Sequence, residues 1–288
     1  MQWHPLLAEL LRPVVQDYYE VQTNVPVGDV PREADLVLLR RKTEGSLPFH
    51  GIWTQLTRWN ILEFKSPLVT PQVRDLDLLL ELGLGIDRRL NEQRAKQGLR
   101  LIEADQVSFW YLANRLPARF LNRCSGRLKN LEPAGPGVWR SNVFERPFFL
   151  VSNVDLPVDA ESLPLHLVSK GQYETELAVA RLVIDQPELR NTFGQWVMTL
   201  HKKAWKEVRT MSRVADDEVP LDLELVVDYL GVEGIVKQFG LKRGIDEVGL
   251  KRVIDEVGVK RVIDEIGLEP LLESLTPAQR RELKRRLR

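Results

Sequence analysis

Leu6, Leu7, Leu10, Leu11, Val14 and Val15 recur at offsets of three and four within residues 4–16, which predicts a first amphipathic helix. The period then shortens. Residues 18–27 read as the first strand of a meander, closed by Val27-Gly28-Asp29. Asp35 opens a second apolar, β-compatible run that continues through Leu39, and Trp59-Asn60-Ile61-Leu62-Glu63-Phe64-Lys65 reads as a strand inside a covered sheet. Helical spacing returns over residues 72–91 through Val73, Leu76, Leu79, Leu80 and Leu84, with a kink predicted near Gly83 and Gly85. An aromatic-rich strand follows at residues 107–113. The order is helix, three strands, helix, strand.

Residues 137–169 carry short apolar runs around Trp139, at residues 147–151 and at residues 163–168. They predict two or three further strands that extend or cap the sheet, with Pro157 and Pro164 placing them near an edge. Residues 170–211 turn helical, and Trp196, Met198, Leu200 and Trp205 supply packing. A nine-residue period then begins: residues 241–249 recur at 250–258 and 259–267, with degenerate copies at 223–231 and 232–240. Each unit has apolar positions on one helix face, and its closing Gly can end the helix as a left-handed cap. Stacked short helices of this kind predict a spacer or an oligomerisation segment. Thr276-Pro277 launches a basic helix that ends the chain. The expected division is an α/β domain at 1–170, a helical segment at 171–222, repeats at 223–275 and the basic helix at 276–288.

A chain of 288 residues with 43% hydrophobic content can bury a full core. Its formal net charge is zero, so any nucleic-acid binding must come from local patches. Cys124 is the single cysteine, which excludes an internal disulfide and a thiolate zinc cluster. His4, His50, His166 and His201 are scattered without ligand spacing. No segment approaches the roughly 18 continuous apolar residues of a membrane span, and no leader pattern opens the chain. The expectation is a soluble, reducing, cytoplasmic home without a membrane partner.

Chemistry concentrates in the third strand. Side chains alternate across a strand, so Glu63 and Lys65 point to the same side. Burying both costs several kcal/mol unless something compensates, so the pair either neutralises itself as a structural ion pair or serves a site. If Asp35 stands opposite Glu63 in an antiparallel hairpin, the tip falls near position 49, where Gly45, Pro48 and Gly51 supply turn chemistry. The two carboxylates would then reach one ion. Mg²⁺ is usually held by one or two carboxylates plus water and substrate phosphate. The Phe64 carbonyl could add a neutral oxygen, and Lys65 could orient or deprotonate a metal-bound water or stabilise the pentavalent phosphate. Arg115, Arg119 and Arg123, spaced by four, predict one basic helix face able to track phosphates, with a solvated face as the alternative. Lys202 and Lys203, next to His201 and near Lys206, Arg209 and Arg213, form a second phosphate candidate.

At these residues the chain resembles the PD-(D/E)xK nuclease superfamily: Pro31 and Asp35 stand for the first part of its signature and Glu63-Phe64-Lys65 for the second. The Glu-Phe-Lys-Ser ending is most similar to the Rpn-type recombination-promoting nuclease and transposase-like group. The resemblance covers about the first half of the chain, with Pro31 four residues before Asp35 instead of adjacent. It implies a restriction-endonuclease-like core extended by C-terminal helical repeats. In that superfamily the Asp and Glu hold Mg²⁺ or Mn²⁺ and the Lys assists attack of water on a DNA phosphodiester. That role falls here on Asp35, Glu63 and Lys65. A Glu on the first helix often adds a ligand, which points to Glu9, with Asp17 and Glu20 competing for the position. The expectation is a metal-dependent DNA endonuclease linked to recombination or transposition, with self-association through the repeats. The alternative is a non-catalytic scaffold with a degenerate nuclease fold and a partner-binding repeat tail.

Overall fold

The first leucine stripe forms helix α1 (Trp3–Val15), whose Leu6, Leu7, Leu10 and Leu11 are fully buried. The computed structural model describes residues 3–26, 33–34 and 36–212, together with Val219, Leu225, Val226 and Tyr229. Trp3–Val219 is one compact unit; Leu225, Val226 and Tyr229, which are helical, belong to a second. Pro31, Asp35, the nine-residue repeats apart from Leu225, Val226 and Tyr229, and the basic C-terminal helix lie outside the described residues.

After α1 come β1 (Tyr19–Gln22), the short pair β2 (Val25–Pro26) and β3 (Glu33–Ala34), then β4 (Val37–Arg41) and β5 (Trp59–Lys65). Helix α2 (Val73–Lys96) leads to β6 (Val107–Ala113), and helix α3 (Ala118–Ser125) to β7 (Glu132–Gly135), β8 (Val138–Val143) and β9 (Arg146–Ser152). The described main sheet has seven strands in the order β1-β4-β5-β6-β9-β8-β7. β4 pairs antiparallel with β1 and β5, whereas β6 runs parallel to β5 and β9. A parallel pair needs a crossover, and α2 provides the one between β5 and β6.

The β4–β5 pairing has the expected sense. Val37 faces Leu62 and Leu38 faces Ile61, so the pairing axis falls between Phe49 and His50, in a connection where Gly45 and Gly51 take positive φ. Continued one step, that register sets Leu36 across from Glu63, one residue away from the expected partner, and a one-residue slip exchanges the two faces of a strand.

Period-two alternation divides β5 between two cores. Trp59 and Ile61 join Phe109, Tyr111, Phe148 and Leu150 under Val73, Leu76, Leu79 and Ile86 of α2. The intervening residues face the other way: the Phe64 ring meets Trp3 and His4 of α1 at 6.1 and 6.3 Å, while Trp110 stacks on Phe149 at 4.2 Å. The sheet is therefore covered by helices on both faces. At the start of β5 a buried polar network fixes the strand: Asn60 Oδ1 accepts from Thr57 N and Ser108 Oγ, and Tyr19 donates to the Thr57 carbonyl.

Four expectations change. Helix α2 runs unbroken past Gly83 and Gly85, because Gly83 lies against Phe109 and lets the helix approach the sheet; a Cβ there would stand 2.4 Å from the ring. Residues 163–168 contribute a short buried helix, α4 (Leu163–Leu167), with Pro164 in its first turn, where a missing N–H costs nothing. In the described main sheet, an edge strand, exposed β7, carries Pro133. Arg115 does not share a helix face with Arg119 and Arg123, since Pro117 is the N-cap of α3. Helices α5 (Tyr173–Asp185), α6 (Pro187–Leu200) and α7 (Lys202–Ser212) pack on one another, and α4 packs against α6 and α1.

Candidate functional site

Glu63 and Lys65 close the carboxyl end of β5, an interior strand flanked by β4 and β6. Strand alternation puts both on the face covered by α2, as it does Trp59 and Ile61. Lys65 Nζ lies 2.7 Å from Glu63 Oε1, with both side chains largely buried. Ser66-Pro67 then breaks the strand, and a turn closed by Val69 N on the Ser66 carbonyl carries the chain to α2. In open α/β sheets ligands bind outside the carboxyl ends of the strands, which is where this pair stands.

The start of α2 adds a third charge. Gln72 and Asp75 form a capping box, in which the Gln72 N–H donates to Asp75 Oδ2 at 2.9 Å. That turn aims Asp75 at the strand end, with Oδ1 3.7 Å from Lys65 Nζ. Tyr111, the register partner of Glu63 on β6, donates its hydroxyl to Asp75 Oδ2 at 2.9 Å. Burial pushes the Tyr111 phenol well above its usual range, and the Asp75 carboxylate beside it adds to the shift. Phe120 of α3 stacks on the Tyr111 ring at 5.8 Å. The structure thus brings Glu63, Lys65, Asp75 and Tyr111 together on one face.

The other candidates are placed separately. Phe64 is buried toward α1, and its backbone N–H donates to His4 Nε2 at 3.3 Å. Glu9 pairs with Arg12 along α1. Asp17 is exposed, and Glu20 lies 3.6 Å from Arg40. Arg115, Arg119 and Arg123 are exposed, the latter two on α3, which turns Phe120 and Cys124 inward. Lys202 and Lys203 are exposed at the start of α7, and the Lys203 ammonium sits 4.3 Å from the Tyr173 ring centre. Cys124 is buried, which pushes its thiol up to about 11.

The donor chemistry at the strand end suits a hard divalent cation. Glu63 offers carboxylate oxygens, while Asp75 is engaged by Lys65, Gln72 and Tyr111; one or two carboxylates completed by water and substrate oxygens are the usual protein share of a Mg²⁺ site. Among the described residues there is no cluster of three or more His, Cys, Asp or Glu able to hold a metal. The sequence reading missed Asp75 and Tyr111. Asp75 looks like an ordinary first-turn acid, and only the Gln72-x-x-Asp75 spacing hints at its orientation. Tyr111 stands two residues from Phe109 in a hydrophobic run, where an aromatic reads as core.

The chain matches no family model, no curated protein and no solved structure. Among the described residues no helix is long and apolar enough to cross a membrane.

Proposed function

We propose that this chain is a metal-dependent DNA endonuclease of the PD-(D/E)xK type, built on a restriction-endonuclease-like core formed by α1, β1, β4, β5, α2 and β6. The observation that carries the reading is the Glu63–Lys65 pair at the carboxyl end of an interior strand. A buried ion pair is weak support for stability, because desolvation offsets most of its attraction, so its presence there favours a chemical role. Glu63 and the Phe64 carbonyl would hold Mg²⁺ or Mn²⁺, with Asp35, outside the described residues, as the second carboxylate that the superfamily resemblance implies; the ion would supply charge neutralisation at the phosphate and acidify a bound water.

Lys65 is a flexible, compact charge with three donors, held at the rim of the sheet. Its ammonium hydrogen-bonds a non-bridging phosphate oxygen and stabilises the charge that develops there as water attacks in line. The exposed Arg115, Arg119, Arg123, Lys202 and Lys203 supply phosphate contacts without reading sequence. The exposed Leu68, within the turn that Val69 N closes on the Ser66 carbonyl, lies on the connection that follows β5.

Purified protein incubated with supercoiled plasmid and Mg²⁺ or Mn²⁺ tests the proposal. Nicking that stops with chelator and is lost in Asp35→Ala, Glu63→Ala and Lys65→Ala supports it. Equal nicking in those variants assigns the activity elsewhere. Absence of nicking by the wild-type protein favours the scaffold reading, in which Lys65 is simply neutralised by Glu63 and Asp75.

A further inference from the structure

Asp75 reaches the strand end from a different element than the Glu-x-Lys pair, and its carboxylate is held from two sides. Oδ2 accepts the Gln72 backbone N–H and the Tyr111 hydroxyl, each at 2.9 Å. Two donors on one oxygen fix the orientation of the group, and the remaining oxygen, Oδ1, is the one nearer Lys65 Nζ at 3.7 Å. Lys65 therefore sits between two acids, in close contact with Glu63 at 2.7 Å and in looser contact with Asp75. The Asp75 side chain is itself only 15% exposed, so its charge is poorly screened by solvent.

We propose that Asp75 is a positioning residue for Lys65, and that Tyr111 orients Asp75 for this task; the proposal rests on the endonuclease reading above. A divalent cation and the Lys65 ammonium compete for the same Glu63 carboxylate. The cation gains Glu63 only when the ammonium has somewhere else to go. Asp75 Oδ1 is that place: a small swing of the lysine stem exchanges the 2.7 Å contact with Glu63 for one with Asp75, and the ammonium keeps a partner throughout. Asp75 thus raises cation affinity through Lys65 and does not itself bind the ion.

Mn²⁺ binding, followed as the loss of the free-ion electron paramagnetic resonance signal, separates the two roles. Asp75→Asn keeps an oxygen for Gln72 and Tyr111 while removing the charge, so the fold is retained, and a thermal melt of each variant confirms it. The expected result is Mn²⁺ affinity weakened about tenfold in Asp75→Asn, the lower end of the range found for groups that act on a metal site without touching the ion. In the Lys65→Met background the same change should have no effect, because no ammonium is left to relocate. Equal weakening in both backgrounds would make Asp75 a ligand and overturn the proposal, as would unchanged affinity in Asp75→Asn alone. Wild-type protein that binds no Mn²⁺ would overturn the endonuclease reading and this proposal with it, a result distinct from either of those.

Discussion

Lys65 Nζ lies 2.7 Å from Glu63 Oε1 on the same face of β5, a strand hydrogen-bonded to neighbours on both sides. Interior strands bury what they carry, so this pair has given up most of its hydration. Its mutual attraction roughly offsets that loss and adds little net stability.

Removing one partner and removing both should therefore differ in size. Lys65→Met leaves two carboxylates, Glu63 and Asp75, facing a partly buried space and should destabilise by roughly 3 kcal/mol. The double change Glu63→Gln with Lys65→Met should bring stability back to within about 1 kcal/mol of wild type or above it. Urea unfolding of the three proteins measures both effects. A double variant less stable than Lys65→Met would mean the pair is retained for stability.

Gly83 sets two effects against each other. Ala is favoured over Gly in a helix interior by about 1 kcal/mol. Against that, a Cβ would stand 2.4 Å from the Phe109 ring, which is fully buried and packed 6.3 Å from Phe148, so it has no room to yield. Overpacking of this kind costs roughly 1–3 kcal/mol, so Gly83→Ala should lower stability despite its better propensity. A raised thermal midpoint would show that α2 can lift from the sheet without loss.

His166 gives a pH signature. It is 3% exposed on α4, with Nε2 3.0 Å from the Pro157 carbonyl. Burial holds its pKa below the ordinary 6.5, and His201 pushes the same way, while the Pro157 and Leu156 carbonyls and Asp159 oppose the shift. Below 6.5 the unfolded chain takes up a proton that the folded chain resists, so stability is full above that pH and falls as pH drops through the folded value. The thermal midpoint should decline from pH 7 to pH 5, and His166→Gln should shrink that decline. An unchanged slope in the variant would place the sensitivity in other groups.

Helices and strands were legible where the apolar period was long: the leucines of α1, the stripe of α2 and the runs of β5 and β6 each formed the element their spacing predicts. The sense of the hairpin was legible but its register was one residue off, because turn chemistry around Gly45 and Gly51 fixes the middle of the connection and not whether the pairing axis falls on a residue or between two, and that difference decides which face a side chain takes. Pro164 signalled a strand edge in the sequence but opens a helix, and the four-residue spacing of Arg115, Arg119 and Arg123 did not register that Pro117 starts α3 too late for Arg115 to join it. Glu63 and Lys65 stood out because charge is costly in an apolar strand. Asp75 and Tyr111 did not, because a first-turn acid and a core aromatic are ordinary in sequence and become a unit only when the β5–β6 register and the α2 cap bring them together.

The central claim is that Glu63 and Lys65 perform chemistry. Its most direct test is the single-turnover rate of plasmid cleavage in Mg²⁺ by wild type and by the double variant Glu63→Gln with Lys65→Met, compared at equal folded fraction. A positioned charge of this kind contributes about 10²–10³-fold to rate, so the account predicts a loss of at least about a hundredfold. Cleavage at the wild-type rate by a folded double variant would contradict it.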